Sequence, residues 1–185
     1  MEKLLTATPR RTRFIGISNF SPKQLKETMT AASVTPYMHQ FEMHPYLQQT
    51  DFIAANKAYN ISLTGYAPLG NTNAPYRASS LYSPSEPPPL LQNSVITEIA
   101  TARNCTPAQV VLAWNLARGV TVIPKAAQPG HQAENLATWT RCTLGEGDAE
   151  KVAKMQDRWV RRVNNPCLQM RMPCFEGLAG GPPAT

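Results

Sequence analysis

Short apolar runs alternate with longer segments of helical periodicity along the chain. The four apolar runs are RFIGISN at 13–19, HQFEMHPY at 39–46, ISLTGYAPLG at 61–70 and VTVIPKA at 120–126. Each run precedes a segment in which apolar residues recur at the spacing of one helix face. Such alternation is typical of βα units, whose strands pair in parallel beneath a layer of helices. The pattern therefore predicts an α/β fold with about four βα units, either a small doubly wound sheet or part of a (β/α)8 barrel.

Local signals place several element boundaries. Ser21 is suited to cap the helix that follows the first strand, and Pro22 is suited to its first position. A stretch rich in Pro, Ser and Tyr at 71–91 predicts a long loop after the third strand. The last helical pattern runs over 147–162, and the remaining 163–185 show no periodicity. We therefore expect a folded unit followed by an irregular tail.

The composition limits the class of protein. The 185 residues are 42% hydrophobic and 16% charged, which is typical of a soluble globular domain. We expect no membrane span, because no window of about 18 apolar residues occurs. The start, MEKLL, does not resemble a secretory signal, so we expect a cytoplasmic protein. The net charge of +6 comes with two basic clusters, at 10–13 and at Arg158, Arg161 and Arg162, which we interpret as solvated surface or as attraction for an anionic cofactor. No nucleic-acid-binding motif accompanies them, and we expect no nucleic-acid partner.

The four cysteines show no CxxC pairing and no histidine at zinc-finger spacing. They lie at Cys105, Cys142, Cys167 and Cys174. This spacing predicts reduced cysteines and no metal site.

Polar side chains close the predicted strands. Ser18 and Asn19 end the first, Gln40 lies in the second, Tyr66 ends the third and Lys125 follows the fourth. Parallel βα proteins bind ligands beyond the carboxyl ends of their strands, so these side chains are the candidate binding residues.

The motifs IGISNF, HQFEMHPY, GYAPLG and VIPKA resemble, in this order, the fifth to eighth strands of an aldo-keto reductase barrel. The resemblance covers residues 1 to about 162, and NNPC and PCFEGL in the tail are similar to fungal members of the family. It implies a partial TIM barrel, about four βα units corresponding to strands five to eight of a (β/α)8 barrel. The expected organisation is a half barrel at 1–162 and an irregular tail at 163–185.

The resemblance also implies a bound NADP(H) and assigns its contacts. The nicotinamide carboxamide would meet Ser18, Asn19 and Gln40, and the nicotinamide ring would stack on Tyr66. The pyrophosphate would lie along Leu69 and Asn71. At the adenosine end, Lys125 would meet the 2′-phosphate, and Glu134 and Asn135 would meet the adenine.

Two positions depart from the family pattern. The chain has Ala126 where many members have serine, and His131 where an arginine usually binds the 2′-phosphate. An arginine grips phosphate with two donors and is always charged, whereas histidine offers one donor and is only partly charged near neutral pH. NAD(H) therefore stays open as a second cofactor.

The family's catalytic aspartate, tyrosine, lysine and histidine come from the first half of the barrel. The resemblance therefore assigns no catalytic residue to this chain. Glu42 and His44 lie on the same strand face as Gln40 and are the best acid or base candidates left, although structural pairing is the favoured interpretation of Glu42. His39 lies on the opposite face, where we expect it to pack against helices.

Three functions remain open at this point. The first is an aldo-keto reductase-like oxidoreductase, truncated before its catalytic residues, that interconverts a small carbonyl compound and its alcohol. The second is a redox-inactive descendant that acts as a cofactor-independent cyclase, isomerase or lyase on an apolar substrate. The third is an inert gene fragment. The apolar edge strands at 14–17 and 120–123 predict a homodimer or a separate chain that completes the barrel.

Overall fold

Four parallel strands form one sheet in the order in which they occur along the chain. The computed structural model describes residues 1–71 and 87–164. The strands are β1 (Gly16–Ser18), β2 (Met38–Glu42), β3 (Ser62–Tyr66) and β4 (Val120–Val122). Each strand pairs in parallel with the next. The structure thus confirms the predicted α/β class and the four predicted strands.

Helices fill the connections between the strands, as parallel pairing requires. The helices of the described residues are α1 (Lys3–Thr6), α2 (Pro22–Ala31), α3 (Thr50–Lys57), α4 (Ser94–Arg103), α5 (Pro107–Ala117), α6 (Pro129–Arg141), α7 (Asp148–Ala153) and α8 (Met155–Arg158). A single 3₁₀ turn, Leu90–Gln92, precedes α4. Residues 72–86 of the predicted 71–91 loop, and 165–185 of the predicted tail, lie outside the described residues.

Two helices begin at capping boxes that the local sequence encodes. The Ser21 hydroxyl accepts a hydrogen bond from the Gln24 backbone N–H, and the Gln24 side chain accepts one from the Ser21 N–H. Thr106 and Gln109 repeat the arrangement at α5. Each box satisfies N–H groups that a helix start leaves without partners. The predicted start at Ser21 is therefore confirmed.

The last helical segment is shorter than predicted. The pattern indicated one helix over 147–162, but α7 ends at residue 153, α8 ends at residue 158, and Trp159 is extended. Beyond α8 the backbone turns back to the sheet, where the Arg161 N–H donates to the Tyr46 carbonyl at 2.9 Å. The Arg161 N–H thus bonds a distant carbonyl and not the carbonyl four residues earlier, as it would in the predicted helix.

The buried apolar side chains form two clusters. One lies mainly among the helices after β3 and includes Tyr46, Leu90, Ile96, Ile99, Trp114, Val152 and Met155. The other joins the sheet to α3 and consists of Phe41, Met43, Phe52, Ile53, Leu63 and Val120. The second cluster packs α3 on the middle of the sheet, so it holds β2 and β3 in place.

Both outer strands expose an edge. Within the described residues β1 pairs only with β2, and β4 pairs only with β3. Several large apolar side chains are exposed: Phe14 and Tyr37 lie before β1 and β2, and Leu136 and Trp139 on α6 are 84% and 80% exposed. Open edges beside apolar surface are the usual setting for association with another chain.

The expectation of reduced cysteines is wrong for one pair. A disulfide joins Cys105, in the turn between α4 and α5, to Cys142, the residue that follows α6. Packing of α5 against α6 brings the two Cα atoms, 37 positions apart in sequence, to 5.5 Å. Cysteine spacing does not show this pairing, because the proximity depends on how the helices dock.

Replacing both cysteines of this pair should destabilise the fold. In the chain-entropy account a disulfide that closes a loop of this length contributes about 2 to 4 kcal/mol, mostly by restricting the unfolded chain. We expect urea unfolding of the Cys105→Ala/Cys142→Ala variant to show a loss in that range. Reductant should lower the stability of the parent protein and leave the double variant unchanged. Indifference of the parent to reductant, with both thiols free in peptide mapping, would contradict the assignment.

Candidate functional site

The carboxyl ends of β1, β2 and β3 bring four of the predicted binding residues together. Ser18 is in register with Gln40, and the Asn19 N–H donates to the Gln40 carbonyl at 3.0 Å. Tyr66, in register with Glu42, donates its hydroxyl to the Asn19 side-chain oxygen at 3.1 Å. Two amides, a hydroxyl and an aromatic ring therefore share one edge of the sheet.

Asn19 has the backbone conformation of a tight turn. Its φ is +57°, in the left-handed region that asparagine adopts more readily than most residues. This conformation ends β1 and turns the chain toward the Ser21 cap of α2 within two residues. The amide of Asn19 thereby stays at the strand end and reaches the Tyr66 hydroxyl.

His39 holds this turn from the side of the sheet that faces α3. Its Nε2 accepts the Phe20 backbone N–H at 3.1 Å, so Nδ1 carries the proton and donates to the Asn56 side-chain oxygen at 2.7 Å. Burial lowers the pKa of His39, against the opposing effect of the Asn56 hydrogen bond. The ring also packs edge to face against Phe41 and Phe52. This confirms that His39 packs on the helix side of the sheet.

Glu42 is fully buried at the same edge and is surrounded by donors. Its carboxylate accepts from His44 Nε2 at 2.9 Å and from the backbone N–H groups of Val163 at 2.6 Å and Asn164 at 3.0 Å. Arg162 Nη1 lies 3.7 Å from Oε2. Burial alone would raise the pKa of Glu42, but His44, Val163 and Arg162 together hold that pKa below its usual value. The structural ion pair is thus the interpretation that the structure supports.

Residues 159–164, which we call the C-terminal strap, lie against this edge. The Trp159 ring packs edge to face on Tyr46 at 5.8 Å between centroids. The Arg162 side chain is 1% exposed and lies beside the Tyr66 hydroxyl. Burial and the nearby Glu42 charge raise the pKa of Tyr66 to about 12, so its hydroxyl stays protonated at neutral pH.

Sequence reasoning missed Arg162, which it grouped with Arg158 and Arg161 as part of a basic surface cluster. The strap contacts Glu42 across 121 positions of sequence, measured at Val163. Neither periodicity nor motif spacing carries a signal for a pairing over that distance.

The remaining predicted residues lie farther along the same connections. Leu69 is half-buried against the helical core cluster, and Asn71 follows Gly70 in a turn where both residues have positive φ. Lys125 is exposed three residues after β4. A hydrogen bond from the Gln132 side chain to the Ala126 carbonyl holds this loop beside the start of α6.

Helix α6 carries the other three predicted residues. His131 is exposed in its first turn, and Glu134 and Asn135 are half-buried. The Glu134 carboxylate accepts the Thr106 hydroxyl, and the Glu134 carbonyl accepts the Gln109 side chain. Glu134 thus ties α6 to the start of α5 as well as presenting a carboxylate near His131.

The edge presents polar groups and an aromatic ring that could contact a ligand. The amides of Asn19 and Gln40 provide donors and acceptors, and Tyr66 offers an aromatic ring at the edge of the sheet. Glu42 and His44 are 0% exposed and therefore lie out of reach of a ligand at this edge. Among the described residues, no cluster of metal-ligating side chains occurs and no helix is long and apolar enough to cross a membrane.

A parallel sheet with polar carboxyl ends is the architecture of many ligand-binding α/β enzymes. The family model described as the aldo/keto reductase family matches residues 11–157. The chain is 39% identical over 150 residues to an aldo/keto reductase of Synechocystis, a match that covers 81% of this chain and 44% of that protein. It is also 38% identical over 183 residues to an uncharacterized oxidoreductase of Schizosaccharomyces pombe, with coverage of 98% and 52%. The chain belongs to the aldo/keto reductase family.

Solved structures agree with this assignment. An aldo-keto reductase of the silkworm Bombyx mori, complexed with NADPH, superposes with a TM-score of 0.77 at 29% identity, covering 92% of this chain and 49% of that chain. An aldose reductase of Giardia lamblia has the same fold, with a TM-score of 0.79 at 23% identity and coverage of 94% and 53%. The chain spans about half the length of these proteins.

Acidification should destabilise the protein through His39. Because folding lowers the pKa of this histidine from about 6.5, the unfolded chain binds a proton that the folded chain rejects. Stability should therefore fall as the pH drops below about 6.5, by up to about 1.4 kcal/mol per pH unit. Urea unfolding between pH 8 and pH 5 measures this slope.

Two variants isolate the His39 contribution. His39→Gln should be less stable overall but should show a flatter pH dependence in this range, whereas exposed His131→Gln should behave like the parent. Glu42 affects the free energy of unfolding only at lower pH, because a carboxylate with a lowered pKa loses its stabilising charge only below about pH 4.5. Constant stability of the parent from pH 7.5 to pH 5.5 would refute the assignment.

Proposed function

We propose that this chain carries the NADP(H)-binding half of an aldo-keto reductase that interconverts a small carbonyl compound and its alcohol. One observation supports this above the others: the hydrogen bond from the Tyr66 hydroxyl to Asn19 places an aromatic ring beside the Asn19 amide, at the sheet edge where Ser18 and Gln40 are in register. A ring flanked by amides matches a cofactor whose reactive end is a flat heterocycle bearing a carboxamide.

The proposed nicotinamide contacts divide into two kinds. Ser18, Asn19 and Gln40 would hydrogen-bond the carboxamide and so decide which face of the ring meets the substrate. Tyr66 would stack on that ring and exclude water from its other side. When bound, the nicotinamide supplies or accepts the hydride, and the chain's own residues bind it and orient it.

The proposed adenosine end lies along the loops after β3 and β4. Leu69 and Asn71 would follow the pyrophosphate, and Lys125 and His131 would meet the 2′-phosphate. Glu134 and Asn135 on α6 would meet the adenine. Because Gln132 joins the loop of Lys125 to the start of α6, the two cationic positions belong to one small surface. NADP(H) is the proposed cofactor, and NAD(H) is the one favoured if His131 contributes little.

The acid for carbonyl reduction is proposed to come from outside this chain. We propose that the four βα units correspond to strands five to eight of an eight-stranded barrel, with the half barrel at 1–162 and the tail at 163–185. The family's catalytic aspartate, tyrosine, lysine and histidine would then lie in the other half. Burial of Glu42 and His44 argues against a cofactor-independent isomerase that uses them as acid and base.

A homodimer is the proposed assembly. Two copies would pair the edges of β1 and β4 that are unpaired within the described residues, and would cover the exposed Phe14, Tyr37, Leu136 and Trp139 side chains. A separate chain that supplies four further βα units is the alternative partner. We propose the cytoplasm as the location, although the Cys105–Cys142 disulfide opposes this, because stable disulfides are rare in reducing compartments.

Cofactor titration tests the proposed function. We expect NADPH to bind and His131→Arg to strengthen its binding by about tenfold or more, because arginine adds a charge-assisted contact to the 2′-phosphate. NADH lacks that phosphate, so its affinity should not change. Nicotinamide fluorescence measures both affinities.

Two controls accompany this titration. Thr140→Arg adds the same charge to an exposed position near the other end of α6 and should leave NADPH affinity within about twofold of the parent. Tyr66→Ala should weaken both cofactors together, since both stack the same ring. Failure of the parent to bind either cofactor at millimolar concentration would refute the proposed function.

Light scattering of the purified chain tests the assembly. We expect a mass of twice the chain at micromolar concentration. Trp139→Glu should shift the protein toward the monomer, because it places a charge on the apolar surface that the second copy covers. The matched substitution Thr140→Glu, on the adjacent exposed position, should leave the dimer intact. A stable, folded monomer of the parent chain would contradict this proposal.

A further inference from the structure

The buried carboxylate of Glu42 has no role in the proposed binding or chemistry, yet it lies directly beside the proposed nicotinamide site. We propose that Glu42 is a positioning residue for the cofactor: it fixes the C-terminal strap to the sheet, and the strap holds Arg162 on the Tyr66 hydroxyl. This inference rests on the proposed function for its effect on cofactor affinity, but its structural step can be measured without cofactor.

The strap is attached to Glu42 by two successive backbone amides. The Val163 N–H donates to Oε1 and the Asn164 N–H donates to Oε2, so each carboxylate oxygen holds one peptide group. Hydrogen bonds to an ionised acceptor are about twice as strong as those between neutral groups. The Arg161 N–H adds a third attachment, to the Tyr46 carbonyl. The strap position therefore depends on the charge of Glu42.

The fixed strap places Arg162 between Glu42 and Tyr66. Its side chain is buried, lies 3.7 Å from the Glu42 carboxylate and sits beside the Tyr66 hydroxyl. That hydroxyl in turn donates to Asn19 at 3.1 Å. The Tyr66 hydroxyl thus lies between Arg162 and its hydrogen-bond partner Asn19. Contacts on two sides define the plane of the ring on which the nicotinamide is proposed to stack.

Loss of the Glu42 charge should therefore weaken cofactor binding without removing any cofactor contact. If the strap is released, Tyr66 loses its contact with Arg162 and keeps its hydrogen bond to Asn19. The ring must then be ordered when the cofactor binds. Ordering one side chain on binding costs a factor of about three to ten in affinity.

The test uses Glu42→Gln, which keeps the shape of the side chain and removes its charge. Hydrogen exchange of the cofactor-free protein should show faster exchange of the Val163 and Asn164 amides, with the α5 amides unchanged. NADPH affinity should fall by about three- to tenfold. Glu150→Gln, which removes the exposed ion pair between Glu150 on α7 and Lys154 just after it, should change neither quantity. Arg162→Gln serves as the second variant if Glu42→Gln does not fold, and should weaken NADPH binding by a similar factor.

A double-mutant cycle separates positioning from a general structural effect. If Glu42 acts through Arg162 and the Tyr66 hydroxyl, Glu42→Gln should cost little further affinity in a Tyr66→Phe background, where that hydroxyl is absent. Equal losses in both backgrounds would overturn the inference, because a merely structural residue would act independently of the hydroxyl.

Three other outcomes are decisive. Unchanged exchange of the strap amides in Glu42→Gln would overturn the inference whether or not cofactor binds. Faster exchange with unchanged NADPH affinity would overturn the positioning role and leave the proposed function intact. Faster exchange in a protein whose parent form binds no NADPH would overturn the proposed function and the positioning role together.

Discussion

Parallel pairing of the four strands is the constraint on which the rest of the molecule depends. Because every strand runs in the same direction, each connection must return the chain across the sheet, and helices occupy those connections. The same constraint brings all four carboxyl ends to one edge. Ser18, Gln40 and Tyr66 meet there because of strand register, although 48 positions separate the first from the last. The candidate site is thus a direct product of the sheet.

Two buried ionisable side chains on β2 stabilise this edge in opposite ways. His39, on the helix side, is kept neutral, since burial lowers its pKa and each ring nitrogen has a neutral partner. Glu42, three positions on, is kept charged, since four donors surround its carboxylate. The first arrangement holds the turn after β1, and the second holds the C-terminal strap. Together they fix the two segments that contact Tyr66 at its hydroxyl.

The features that sequence reasoning predicted well are local. The Ser21 cap, the four strands and the polar residues at the strand ends each depend on neighbours within a few positions, and the family motifs added the expected cofactor contacts. The errors concern long-range packing. The helical segment predicted over 147–162 ends at residue 158, and beyond it the Arg161 N–H bonds the Tyr46 carbonyl instead of a helical carbonyl. Cys105 meets Cys142 because α5 packs against α6. Arg162 was assigned to a surface cluster, since a basic residue without an adjacent acid is usually solvated.

By itself, the sequence determined the α/β class, the order of the elements and the residue types at the strand ends, because apolar periodicity and capping act over one or two turns of chain. Only the tertiary structure decided which charges are buried together. Burial of a carboxylate beside an arginine and two backbone amides is favourable only when all the partners arrive in place, and those partners, residues 162–164, lie 121 positions from Glu42 as measured at Val163. The environment of Tyr66 is therefore a property of the fold, while its position at a strand end is a property of the sequence.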